Sequence, residues 1–161
     1  RDVVDSMQFA AAIEPAEHVL DVGTGGGVPG LVLAIVRPDL QITLSESVGK
    51  RARVVETMAS ELGLPVATHH GRAEDLLSSQ HFQSLLVRAV AALPKLLRWF
   101  APFWGSFDRL LVVKGPAWVE ERHAAREAGL FHELKLRKLA SWPLPGTESD
   151  SVLLEVRPKD E

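Results

Sequence analysis

The residues best placed to do chemistry in this chain are acids set around a run of glycines. Asp21 precedes Val22-Gly23-Thr24-Gly25-Gly26-Gly27-Val28-Pro29-Gly30, Glu46 lies 21 residues after Gly25, and Glu74-Asp75 follow further on. A short apolar run before the glycines and a helical pattern after them make this a strand, a turn and a helix start. Backbone can approach a ligand closely at such a place. Gly25 to Gly30 also fits G-x-G-x-x-G, with Glu46 near the spacing of a ribose-binding acid. Spacing alone therefore admits a dinucleotide. Charge separates the readings. A carboxylate at Asp21 would repel a pyrophosphate laid on the loop, and would suit a cofactor bearing an ammonium and a sulfonium, as S-adenosylmethionine does. Glu46 would then accept the ribose hydroxyls, its alternative being a solvated turn acid. Glu74 would accept the exocyclic amine of adenine, its alternative being an acid at a helix N-terminus.

Other chemistries have little to work with. The chain has no cysteine, which excludes disulfides, thiolate metal sites and cysteine nucleophiles. His69 and His70 are adjacent and point to opposite faces of a strand, and there is no His-Glu-x-x-His, so no metal is expected. The net charge of -3 gives no global attraction to nucleic acid. Contact with one would need a local patch, for which Lys50, Arg51 and Arg53 are the best cluster and a solvated helix face the plainer alternative. Trp99 and Trp118 are expected to pack on helices, although any of the four tryptophans could stack on a base. No apolar run has the length of a membrane span and no signal peptide opens the chain, so no membrane is expected and a cytoplasmic location is compatible.

These residues need a frame, and the apolar periodicity supplies one. It predicts a helix over 1–13, strands at 18–22, 41–44, 66–69, 82–87 and 109–113, and helices at 28–36, 50–62, 73–77, 91–103 and 118–128. Two further strands, 131–140 and 152–156, flank a loop from Pro143 to Ser151, the segment expected to be most mobile. Strand and helix alternate five times before the closing pair. The expected fold is a single α/β domain over 1–161, a doubly wound Rossmann-like sheet. Most strands are parallel, with an antiparallel strand at or beside the C-terminal edge.

Leu20 to Gly30 resembles the glycine loop of the bacterial GidB family, whose members are 16S ribosomal RNA guanine-N7 methyltransferases. The Val28-Pro29-Gly30 extension is more specific than the glycines. Arg1 to Met7, Ser47-Val48-Gly49-Lys50-Arg51, Arg72-Ala73-Glu74, and Arg88-Ala89 with Lys114-Gly115 agree with the family in order and spacing. The resemblance implies S-adenosylmethionine as cofactor and ribosomal RNA of the small subunit as partner. Its cofactor-binding candidates are Asp21, Gly23, Thr24, Gly25, Gly27, Val28, Glu46, Ala73, Glu74 and Arg88. Arg88 would lie by the target base and Lys114 on the next strand end facing RNA, as the catalytic pair. Residues 1–13 read as the remnant of a longer helical N-terminal region. The chain departs from the family with Val87 where serine is usual, and with Gly146-Thr147-Glu148-Ser149-Asp150 where Gly-Glu-Arg is usual. The alternatives are a class I methyltransferase with another substrate and a catalytically silent cofactor- or RNA-binding module.

Guanine N7 has a lone pair and no proton to lose, so its methylation asks for orientation more than for a general base. The lack of a His/Asp catalytic pair fits that reaction. Carbon methylation of a pyrimidine usually needs a cysteine. Methylation of an exocyclic amine usually shows Asn/Asp-Pro-Pro-aromatic where this chain has Val87-Arg88-Ala89-Val90.

Overall fold

The computed structural model describes residues 1–88 and 90–160; Ala89, half of the Arg88-Ala89 pair, and Glu161 lie outside the described residues. The chain runs α1 (Asp2–Ala12), β1 (His18–Val22), α2 (Gly30–Val36), β2 (Gln41–Glu46), α3 (Gly49–Glu61), β3 (Ala67–His70), α4 (Ala73–Leu77), β4 (Phe82–Arg88), α5 (Leu93–Phe100), β5 (Phe107–Lys114), α6 (Trp118–Glu127), β6 (Leu134–Pro143) and β7 (Asp150–Pro158). A short 3-10 turn, Ala101–Phe103, follows α5.

The strands form one seven-stranded sheet in the order β3-β2-β1-β4-β5-β7-β6. β1 to β5 are mutually parallel, while β7 inserts antiparallel between β5 and β6. The inverted strand is thus internal and β6 forms the edge. Helix α2 begins at Gly30, two residues later than the apolar pattern predicts. The turn is longer because Gly23, Gly25 and Gly27 all hold positive φ.

Residues alternate in side along each strand, and the core divides accordingly. Leu110 and Val112 point to one face, with Leu96, Leu97 and Phe100 of α5 and Ala125 of α6. Leu111 and Val113 point to the other, with Phe9 of α1, Leu33 of α2 and Val55 of α3. This two-sided burial explains why β4 and β5 read as continuous apolar runs.

A charged cluster braces the N-terminal ends of the parallel strands. Arg109 of β5 donates to Glu17 at 2.9 Å, Glu155 at 2.9 Å and Ser84 at 2.8 Å. Arg109, Glu17 and Glu155 are all buried. Burial works against the charge of Glu155, yet hydrogen bonds from Arg157 and Arg109 hold its carboxyl below the usual range. The opposite rim, at the C-terminal strand ends, is left for ligands. The strand order reverses there between β1 and β4, where open α/β sheets form their ligand crevice.

Candidate functional site

Asp21, the fourth residue of β1, governs the shape of the glycine loop. Its Oδ2 accepts hydrogen bonds from the Thr24 hydroxyl at 2.7 Å and the Gly30 amide at 2.9 Å. One carboxylate oxygen thus ties the first turn of the loop to the start of α2. The loop is also fastened to β2, because the Thr24 amide donates to the Ser45 carbonyl at 3.0 Å and the Gly25 amide to Glu46 Oε2 at 3.2 Å. Burial pushes the Asp21 carboxyl up to about 7, against the hydrogen bonds from Thr24 and Gly30 and the nearby Arg88 charge. On charge alone Asp21 is expected to be a free anion facing the cofactor. In the structure it is an inward-turned loop brace, ionised only in part at neutral pH.

Gly30 shows why glycine is needed where α2 meets the sheet. A Cβ there would stand 2.1 Å from Leu44 Cδ2 and 2.8 Å from Asp21 Oδ2. Gly23 has a different reason. It is exposed at φ +64°, and a Cβ would project against Val90.

Between the ends of β1, β2 and β3 lies a cavity of about 180 Å³, bounded by Gly23, Ser45, Ser47, Ala73, Val90 and Trp99 among others. Its mixed apolar and hydroxyl walls suit a flat ring with a polar edge. At the start of α4, Glu74 Oε2 accepts from Arg72 at 2.9 Å, but Glu74 Oε1 is buried without a partner. A buried acceptor left open is costly and calls for a donor from a water or a ligand. Glu46 is buried, with Arg51 3.9 Å from its second oxygen. Beyond the loop is a more open groove of about 600 Å³ lined by Gly25, Gly26, Lys50, Arg51 and Val54.

The fold therefore gathers Gly23 and Ala73 around one cavity, with Glu46 and Asp21 fixing the loop that borders it. Thr24, Gly25, Gly27 and Val28 shape that loop through the bonds within it: the Gly27 and Val28 amides both donate to the Thr24 carbonyl. Arg88 lies at the end of β4, the far side of the crevice, with its side chain 20 % exposed. It donates to Asp5 at 3.0 Å and also pairs with Asp2. Partial burial works against its charge, but these two acids raise its pKa above the ordinary value. Lys114 stands apart. The family resemblance implies a Lys114 that faces RNA from the β5 end, whereas the structure turns its ammonium to the Ala91 carbonyl and to Glu121 at 3.0 Å. It fastens the segment between β4 and α5 to α6.

Val90, Ser45 and the cavity-facing position of Trp99 have no sequence signal of their own. They follow from the pairing of β1 with β2 and β4, which only the sheet order supplies. Among the described residues no group of three or more acids and histidines is placed to hold a metal ion, and no helix is long and apolar enough to cross a membrane.

Solved structures share this architecture. TrmK of M. capricolum, in complex with S-adenosylhomocysteine, superposes with a TM-score of 0.74 over 96% of this chain and 67% of its own, at 11% identity. An rRNA methylase from Streptococcus thermophilus gives 0.67 over 99% and 98%, at 15% identity. At such identities the likeness shows the fold, which is that of class I methyltransferases. Sequence goes further. The GidB family model, rRNA small subunit methyltransferase G, matches residues 1–144. A protein of that name from Rhodopirellula baltica is 50% identical over 144 residues, 89% of this chain and 62% of the relative. Another, from Mycolicibacterium smegmatis, is 40% identical over 118 residues, 71% of this chain and 50% of the relative. This chain thus spans between half and two thirds of the length of these two relatives. The matched range takes in the glycine loop, Glu46, Glu74 and the Arg88 strand end, and on that evidence the chain belongs to the GidB family.

Proposed function

We propose that this chain carries the S-adenosylmethionine site and the methyl-transfer centre of an enzyme that methylates N7 of a guanine in small-subunit ribosomal RNA. The observation that carries the reading is the cavity beside Gly23, bounded by Ala73 at the start of α4, where the unpartnered Glu74 Oε1 belongs to the next residue, and by Ser45 and Ser47 on either side of Glu46. These features fit an adenosyl group: Glu74 to accept the adenine amine, Glu46 to accept ribose hydroxyls, and the Gly23 backbone to pass close to the amino-acid end. The family membership supports the ribosomal substrate.

When bound, S-adenosylmethionine supplies an electrophilic methyl group on a sulfonium. The chain's own residues supply position and field. Asp21 braces the loop, and its partly protonated carboxyl gains charge as a cation approaches. Val90 and Trp99 line the slot with apolar surface, which strengthens the electrostatic interactions inside it. Arg88 can donate to the guanine O6 edge or to a flanking phosphate, and so orient N7 toward the methyl group. No residue has to remove a proton before attack, because guanine N7 carries a free lone pair. Lys50 and Arg51 line the groove beside the loop and Arg72 the cavity, positive charge that RNA phosphates would neutralise despite the net charge of -3. Such a substrate places the enzyme in the cytoplasm.

The test is transfer of labelled methyl from S-adenosylmethionine to 30S subunits lacking the modification, followed by nucleoside analysis. Label in 7-methylguanosine is expected. Label in another nucleoside would replace the substrate assignment, and cofactor binding without transfer to any RNA would favour a silent binding module.

A further inference from the structure

Arg88 is held by a helix remote in sequence, in a geometry more elaborate than charge balance requires. Its Nε donates to Asp5 Oδ2 at 3.0 Å, and its Nη2 pairs with Asp2. These two atoms form one side edge of the guanidinium. Nη1 has no hydrogen-bond partner among the described residues, so the remaining edge is left without a protein partner. Asp5 is 1% exposed, and its other oxygen accepts from Trp142 Nε1 at 3.0 Å. Trp142 itself is buried on β6. Three elements far apart in sequence, α1, β4 and β6, thus converge on one buried carboxylate. The Asp2 side chain, by contrast, is 61% exposed.

The geometry points to Asp5 as the positioning residue for Arg88, locked in turn by Trp142, with Asp2 as the member a substrate group displaces. An arginine has a long side chain whose rotamer entropy must be lost before it can act at a fixed place. Asp5 removes that freedom before substrate arrives and leaves the open edge of the guanidinium available. Exposed Asp2 gives up its contact at little cost, because an ion pair in water is weak. Buried Asp5 keeps its contact. A bond serving stability alone would not need to single out the arginine at the strand-order reversal, near enough to Asp21 for its charge to be felt there.

This inference rests on the methyl-transfer reading, and its test keeps the two apart. Single-turnover methyl transfer to unmodified 30S subunits is measured for the full chain and for Asp5→Asn, Trp142→Phe, Arg88→Ala and the Asp5→Asn/Arg88→Ala double variant. S-adenosylmethionine affinity is followed in parallel. Asp5→Asn is expected to slow transfer at least tenfold, as loss of orientation does, with cofactor affinity within twofold of wild type. Trp142→Phe should slow transfer about threefold, through the same contact. The double variant should be no slower than Arg88→Ala alone, because residues acting through one another are not additive. Full activity in Asp5→Asn, or a tenfold further loss on adding it to Arg88→Ala, overturns the inference. If Asp5→Asn does not fold, an unchanged rate in Trp142→Phe overturns it. A wild-type chain that transfers no methyl group overturns the functional reading and the inference together.

Discussion

The buried carboxyl of Asp21 sets up a measurable pH dependence of stability. Its native pKa is about 7 against an ordinary 3.8. Between those values the folded state binds more protons at this site than the unfolded state does, so stability falls as pH rises through the window. Below pH 3.8 both states are protonated and there is no penalty; above 7 the penalty is complete. At 1.36 kcal/mol per unit, the full penalty is about 4 kcal/mol. Asp21→Asn removes the charge and keeps a carbonyl oxygen where Thr24 and Gly30 donate. The comparison of the two proteins isolates the site from every other titrating group. Urea unfolding at pH 4.5 and pH 8 should show the variant gaining about 3 kcal/mol relative to wild type on going to the higher pH. A gap that stays flat or narrows would refute the placement of Asp21 as a desolvated acid. The same protonation couples to the cofactor. A bound cation favours the ionised form, so affinity for S-adenosylmethionine should rise with pH, by at most about tenfold per unit below 7, and lose that slope in Asp21→Asn.

Two further substitutions test the frame. Gly30→Ala forces a methyl group against Leu44 and Asp21, which should cost about 1–3 kcal/mol, or roughly 2–12 °C in melting temperature for a chain of this size. Gly26→Ala meets nothing within 4 Å and should change stability by less than about 0.5 kcal/mol; equal melting temperatures for the two would contradict the packing. Arg109→Leu leaves Glu17 and Glu155 buried without their shared cation and should cost about 3–5 kcal/mol in denaturant unfolding. Because Arg109 braces the end of the sheet opposite the loop, cofactor affinity measured below the melting transition should stay within twofold.

Local patterns carried most of the fold. The boundaries of β1 and α4 fall where apolar periodicity places them, since those segments are short and bounded by turn residues. The start of α2 was not legible, because the positive-φ turn extends through Gly27 into residues that are apolar and look helical. In the site, the glycines, Glu46 and Glu74 could be picked out because each falls at or after the C-terminal end of a strand. The partners of Arg88 could not. Asp5 lies 83 residues before Arg88, and Trp142 lies 137 after Asp5, so no local period links them. The Arg109 cluster escaped notice for the same reason: arginine in a strand reads as surface until β7 is seen to insert beside β5. Lys114 shows the converse limit. A strand-end lysine reads as solvent-facing until Glu121 of α6 is folded over it.

The most direct test of the account is isothermal calorimetry of this chain with S-adenosylmethionine and with NAD, in wild type and Glu74→Ala. The cavity beside Gly23, with its open acceptor at Glu74, predicts binding of S-adenosylmethionine, at least tenfold weaker binding in the variant, and no saturable binding of NAD. Tight NAD binding with none of S-adenosylmethionine would show that the glycine loop serves a pyrophosphate, and would contradict the account at its centre.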